Sequence, residues 1–296
     1  MNINYAVFIL SHARSDKVFT ISTIREQGYT GKIIIILDDT DQTRNEYKKN
    51  YPDEEIYVFN KKKAIKKTDS ADNTDNPRAV VYARNMCHEI AKELRLDNFI
   101  VFDDDYTAFD FKSDENNKYI SHEKIKNLDR IFEIFLNFLN STKTTSIAFS
   151  QGGDYIGGYG NRFGEHIMLQ RKCMNSFFCK TDRTFQFYGL INEDVNAYVL
   201  DGSRGNLYFT STHISLEQKQ TQQNDGGLTT IYLEKGTYVK SFYSVMYHPS
   251  SVVVRDMGLS NRRLHHAIEQ DLTYPKILNE KYKKALKSST KSIGEE

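Results

Sequence analysis

Residues 32–37 read Lys-Ile-Ile-Ile-Ile-Leu, and no other stretch limits the fold as sharply. Successive β-branched side chains are stiff about χ1 and, in an extended chain, point alternately to opposite faces. A run of this kind needs cover on both faces, as in the central strand of a parallel sheet with helices on either side. Its neighbours repeat the theme. Tyr5–Leu10 (YAVFIL), Glu55–Phe59 and Asn98–Phe102 (NFIVF) are apolar runs of strand length. Helical patterns lie between them. Val18, Ile21 and Ile24 share a face that Gly28 closes, and residues 41–50 form a polar helix. A third helix starts at Asn76-Pro77, a cap followed by a first-turn proline. Val80, Ala83, Cys87, Ile90 and Leu94 then recur at steps of three and four. Strand–helix alternation of this kind predicts an α/β fold, with an open, mostly parallel twisted sheet flanked by helices. A further amphipathic helix carries Ile125, Leu128, Phe132, Phe135 and Leu139, and residues 146–150 read as another strand. From Gln151 onward the periodicity dissolves into a loop-rich half. We expect one domain over residues 1–296, with an N-terminal ligand-binding half at 1–110 and a second half at 145–270. Residues 273–296, rich in lysine, read as a helix or tail.

Bulk properties exclude several classes. With 39% hydrophobic and 27% charged residues the chain can build a core. Its net charge is only +1, whereas proteins that hold nucleic acid mainly by phosphate neutralisation are far more basic. Contact with a polyanion would therefore need a local patch. Residues 61–67 place five lysines in seven positions, including Lys61, Lys62 and Lys63, and read either as such a patch or as a solvated loop. Cys87, Cys173 and Cys179 show neither metal-ligand spacing nor an even disulfide framework. No apolar run approaches the roughly 18 residues of a membrane span, and the N-terminus has no secretory pattern. A reducing, cytoplasmic setting and no membrane partner are the expectations.

Ligands of open α/β sheets bind beyond the C-terminal strand ends, and here those ends are polar. The first strand runs into Ser11-His12-Ala13-Arg14, the second into Asp38-Asp39, and the fourth into Asp103-Asp104-Asp105. Three consecutive aspartates repel one another unless a cation sits among them. Oxygen ligands on a loop with open coordination positions suit Mg²⁺ or Mn²⁺ bridging to substrate phosphates. Asp103 and Asp105 are the pair placed to reach one ion. An acidic turn or helix cap is the plain alternative.

An apolar strand ending in three aspartates, preceded by a helix carrying Ala83-Arg84-Asn85, resembles the core of glycosyltransferases with the GT-A fold. In that family the acidic motif, DxD, holds a divalent ion against the diphosphate of a nucleotide-sugar donor. The resemblance implies Asp103 and Asp105 as metal ligands. It also implies donor contacts from Ser11, Arg14, Asp39, Arg84 and Asp104. Gly189-Leu190-Ile191-Asn192-Glu193-Asp194-Val195 is similar to the family's second acidic motif, in which a carboxylate near the acceptor serves as base. Asp194, and next Glu193, match it; a helix N-terminus carrying acids for its dipole is the structural alternative. Residues 151–160 hold five glycines, among them Gly157 and Gly158, and resemble the glycine-rich loop beside the donor sugar. The family often adds a late histidine to the metal, for which His213 and His248 are eligible; His265-His266 would instead touch phosphate or acceptor. The implied cofactors are Mn²⁺ or Mg²⁺ with a nucleotide sugar, of UDP type.

Residues 261–266 (Asn-Arg-Arg-Leu-His-His) with Thr273–Leu278 are similar to bacteriophage glycosyltransferases that act on hydroxymethylated DNA pyrimidines, the TET-associated type. That resemblance implies DNA as acceptor, with a base flipped from the stack. Lys61, Lys62, Lys63, Arg262 and Arg263 would then grip phosphates. A transferase of surface polysaccharide or protein is the competing enzyme reading. A catalytically silent sugar- or DNA-binding module is the competing reading outside enzymes, and a nucleotidyltransferase would leave the second acidic motif without a role.

Overall fold

The structure is a computed structural model that describes residues 3–70, 79–155, 158, 169–219, 239–257 and 263–274. Its N-terminal half contains β1 (Tyr5–Leu10), α1 (Phe19–Glu26), β2 (Ile33–Asp38), α2 (Arg44–Asn50), β3 (Glu55–Phe59), α3 (Lys61–Lys67), α4 (Val80–Glu93) and β4 (Asn98–Asp103). There follow β5 (Tyr106–Ser113), β6 (Tyr119–Lys124), α5 (Leu128–Ser141), β7 (Ser146–Gln151), β8 (Leu169–Gln170) and β9 (Phe177–Lys180). The chain then forms α6 (Glu193–Ser203), β10 (Tyr208–Gln218), a helix α7 through 239–247, β11 (Val252–Met257), β12 (Arg263–Ile268) and α8 (Gln270–Thr273).

Among the described residues, ten strands make one sheet in the order β3-β2-β1-β4-β9-β7-β10-β5-β6, with β8 on β10. The first four run parallel, as the strand–helix alternation requires. Beyond β4 the pairing is mixed: β9 is antiparallel to β4 and β7, while β7 and β10 are parallel. The isoleucine run divides between the two faces as its geometry demands. Ile34 and Ile36 pack with Phe8 beneath Val81, Cys87 and Ile90 of α4. Ile33 and Ile35 pack with Val7 and Ile9 against α1 and α5. All four are at most 2% exposed, and burying each contributes about 1.5–3 kcal/mol. On the α5 side Phe102 anchors an aromatic cluster, with ring centroids of Tyr106 and Phe109 at 5.5 Å and Phe132 at 5.7 Å.

The structure departs from the sequence expectations in three ways. The lysine cluster is helical, because the Asn60 side chain caps it by accepting from Lys63 N at 2.7 Å. Ile125 precedes α5, whose cap is Asn127 accepting from Arg130 N, so its burial comes from the preceding loop. The second half is more regular than its periodicity suggests. In β10, Thr210, Ser211, Thr212 and Ser215 are buried polar positions that break the apolar alternation on which a strand assignment depends. The Asn76-Pro77 helix start lies outside the described residues.

Gly28 ends α1 at φ +85°, and a Cβ there would lie 2.3 Å from the Lys126 carbonyl oxygen. Gly28→Ala is expected to lower unfolding stability by on the order of 2–4 kcal/mol, from left-handed strain and this backbone clash together. Chemical denaturation read by circular dichroism measures it, and a change below about 1 kcal/mol would show that the α1–α5 junction yields freely.

Candidate active site

The loops that follow β1, β2 and β4 meet at the C-terminal edge of the parallel half. Ser11 Oγ donates to Asp104 Oδ2 at 2.6 Å and lies 2.8 Å from Tyr47 OH, which itself accepts from Arg14 N. Arg14 Nη1 reaches Asp104 Oδ1 at 3.1 Å. The middle aspartate therefore faces inward, 4% exposed and fully engaged. Thr20 pins the turn from α1. Its hydroxyl donates to the Asp103 carbonyl at 2.6 Å and accepts from Tyr106 N at 2.9 Å. Beside this, Asp38 takes Lys61 Nζ at 3.0 Å and His12 Nδ1 at 2.8 Å. Burial opposes ionisation of Asp38, yet the hydrogen bonds from His12, Thr40 and Lys61 hold its carboxyl well below the usual range.

The second acidic motif comes to the same place. Asn192 takes a left-handed conformation at φ 54° and opens α6, so Glu193 and Asp194 stand in its first turn. Arg84, on the buried face of α4, lies between the two motifs. Its Nη1 donates to Glu193 Oε1 at 2.6 Å, and its Nη2 to both carboxylate oxygens of Asp103, each at 3.0 Å. The guanidinium is 3% exposed and lies 5.1 Å from the Phe177 ring centre and 5.7 Å from that of Phe187. Asp194, 7% exposed, accepts from Val195 N at 2.7 Å and makes no direct ion pair among the described residues, although its charge also acts on Arg84.

Five carboxylates thus face two guanidiniums, Arg14 and Arg84. Asp105 bears the excess. Its Oδ1 is buried without a hydrogen-bond partner, and burial, then Asp103 and Asp104, push its carboxyl up to about 7. Burial likewise pushes Glu193 up, with Arg84 working against the shift. An unsatisfied carboxylate oxygen beside like charges is the environment that a cation relieves. No three His, Cys, Asp or Glu side chains form a ready-made metal cage among the described residues.

Comparison with known proteins now adds the family. The profile of the TET-associated glycosyltransferases matches residues 5–227, well over half of the chain. The chain belongs to the TET-associated glycosyltransferase family. It is a glycosyltransferase, and its mixed α/β fold carries the acidic edge where that family resemblance predicts a donor site. Among solved structures, glucosyl-3-phosphoglycerate synthase from Mycobacterium tuberculosis with Mg²⁺ and uridine diphosphate is similar at 8% identity, over 90% of this chain and 88% of that one, with a TM-score of 0.47. The same enzyme with Mn²⁺ and UDP-glucose gives 8% identity, 90% and 87% coverage and a TM-score of 0.45. A mycobacterial protein gives 10%, 90%, 84% and 0.46. No curated protein matches.

For a TET-associated glycosyltransferase the sequence-predicted site residues divide as follows. Ser11, Arg14, Arg84, Asp103, Asp104, Asp105, Glu193 and Asp194 gather on one edge. Asp39 instead caps α3, accepting from Lys61 N at 3.0 Å and Asn60 Nδ2 at 2.8 Å. Lys61 is 6% exposed and spent on Asp38, while Lys62 is exposed and Lys63 pairs with Glu89 at 3.0 Å. His213 lies on β10 in an apolar cleft with Phe111 and Phe135, and His248 bonds the Ser251 hydroxyl after α7; neither belongs to a three-ligand cluster among the described residues. Gly158 sits at φ +53°, and a Cβ there would meet Tyr119 at 4.0 Å as its nearest side chain. Gly157 and Arg262 lie outside the described residues, as does the side chain of Arg263. Thr20, Tyr47 and Asn192 escape sequence reasoning, and His12 stands out only as part of a polar strand end. No sequence signal marks these residues beyond their places next to the strand ends and the acidic pair. His266 reaches the site too, its Nδ1 3.4 Å from Asn192 Nδ2; burial, then His265 and Lys240, push its pKa down to about 4.

Two measurements probe this edge. Thr20→Val removes a donor and an acceptor while keeping shape, leaving the Asp103 carbonyl and Tyr106 N–H unmet. A stability loss of about 2–4 kcal/mol in denaturant titrations is expected, together with weaker Mn²⁺ binding. The raised carboxyl of Asp105 binds its proton more tightly folded than unfolded. The stability it contributes is therefore complete below about 4 and lost as pH rises through about 7. With chelator present, wild type should lose melting temperature over that window relative to Asp105→Asn, and Mn²⁺ should restore it. Parallel curves for the two proteins would exclude Asp105 as the unsatisfied charge.

Proposed function

We propose that this chain transfers a sugar from a UDP-sugar to a hydroxymethylated pyrimidine in DNA, assisted by Mn²⁺ or Mg²⁺. The observation that carries the donor side is the meeting of the two acidic motifs at the strand ends, with one carboxylate, Asp105, left unsatisfied. Asp105 would hold the ion, with Asp103 beside it. The ion would supply charge neutralisation for the departing diphosphate. Arg14 lies close enough to share that task, although its present partner is Asp104. The choice of UDP follows the resemblance of the acidic strand end to the GT-A motif.

Asp194 is the better base of the acidic pair, because Glu193 is hydrogen-bonded to Arg84 directly, whereas Asp194 makes no direct ion pair among the described residues. In the transfer, the acceptor oxygen forms a bond to the anomeric carbon as the bond from that carbon to the diphosphate oxygen breaks. The acceptor proton passes to the Asp194 carboxylate, and the electron pair leaves with the diphosphate.

The acceptor reading rests on the family, matched over residues 5–227, and on the resemblance, in sequence alone, of residues 261–266 and 273–278 to enzymes of modified phage DNA. Lys62, exposed on α3, with Arg262 and Arg263, would contact phosphates, and the near-neutral net charge keeps that contact local. A glycan or protein acceptor is the competing reading and needs no basic surface.

The test is nucleoside diphosphate release from a panel of nucleotide sugars with Mn²⁺, with and without DNA containing 5-hydroxymethylpyrimidines. Release from a UDP-sugar, stimulated by the modified DNA and reduced at least about 100-fold in Asp105→Ala, is expected. Release indifferent to DNA would move the acceptor to glycan or protein. Absence of release from every donor would overturn the donor assignment.

A further inference from the structure

Arg84 is held by protein groups on two sides. Its guanidinium is buried on α4, and the two terminal nitrogens are taken by Asp103 at the end of β4 and Glu193 at the start of α6. The neighbouring Asn85 holds the chain that leads to α6. Its Nδ2 donates to the Phe187 carbonyl at 3.0 Å, and its Oδ1 accepts from Phe187 N at 2.8 Å. Phe187 in turn closes over the guanidinium. Among the described residues, no backbone hydrogen bond joins residues 187–193 to β4, so side chains of α4 make this connection.

We propose that Arg84 is a positioning residue, which sets the second acidic motif against the first and so places Asp194 over the reacting sugar. This rests on the donor-site reading above and adds to it a mechanical link between the two motifs. Arginine suits the task because its planar fork offers donors in two directions at once, whereas a lysine ammonium presents a single flexible point charge. Neither carboxylate tolerates removal of the guanidinium easily, since a buried charge left alone is strongly unfavourable. The link acts on alignment, so its loss should appear in the chemical step. Misplacing a catalytic group by about 1 Å costs on the order of 100-fold in rate.

The experiment compares full-length wild type, Arg84→Met, Arg84→Lys and the double variant Arg84→Met/Glu193→Gln. Each is assayed for release of UDP from the best donor, for UDP binding in the presence of Mn²⁺ by calorimetry, and for melting temperature. The double variant neutralises Glu193, the more deeply buried of the two carboxylates that Arg84→Met strands, and leaves only the part-exposed Asp103 unpaired, so misfolding is separated from misalignment by its melting temperature. The expected result is a fall in kcat of about 100-fold or more in Arg84→Met and in the double variant. Donor KM and the Kd for UDP should stay within about threefold, and Arg84→Lys should recover part of kcat. A double variant that melts like wild type and turns over within threefold of it would overturn the proposal. So would parallel losses of UDP affinity and kcat, which would make Arg84 a donor contact. Wild type without turnover on any donor would instead defeat the underlying donor-site reading, while leaving the ion-pair geometry as a structural feature.

Discussion

Burying one guanidinium imposes order on the whole acidic edge. Arg84 lies on the apolar face of α4, where an uncompensated charge would cost several kcal/mol. It is tolerable there only with Asp103 and Glu193 both in place. That requirement ties the end of a central strand to the first turn of a helix ninety residues later. The packing of Phe177 and Phe187 over the guanidinium, and the grip of Asn85 on the Phe187 backbone, follow from the same need to exclude water around the pair.

With Arg84 and Arg14 each committed, the edge remains short of positive charge. Consecutive aspartates in a turn cannot all face one way. Asp104 turns inward to Ser11 and Arg14, Asp103 is met by Arg84, and Asp105 is left with a buried oxygen that nothing among the described residues satisfies. Thr20 makes this division durable by bonding the backbone on both sides of Asp104 and Asp105, so that the turn does not relax to share its charge with solvent. The unmet demand is a local property of geometry, and it is the feature that an ion and a diphosphate would fill together.

Much of this was legible in the chain. KIIIIL and its neighbouring runs announce strands covered on both faces, and the helices between them carry single apolar stripes, so the parallel pairing of this half follows from periodicity and parallel-sheet sterics, whereas the order β3-β2-β1-β4 comes from the structure. The acidic triplet was visible because it directly follows such a strand, and Asp194 through its likeness to a known motif. Other features were not readable. Lys61 looks like one of five equivalent surface lysines, yet it is buried because Asp38 lies across from it. Thr20 and Asn192 are ordinary polar residues whose roles arise from backbone groups remote in sequence. In the second half β7 was legible, but β10 stays hidden because it buries threonines and serines, which periodicity scores as surface.

By itself the sequence determined the α/β class, the parallel half-sheet and the acidic character of its edge, because these depend on local pattern and on side chains acting within a few residues of one another. The tertiary structure alone decided which charges are paired. Asp103, Asp104 and Asp105 are chemically the same side chain in one turn, and only the arrival of Arg84, Arg14 and Ser11 from other parts of the chain makes them different. Electrostatic pairing depends on distance in space and on burial, and neither is encoded in the spacing of residues along the chain.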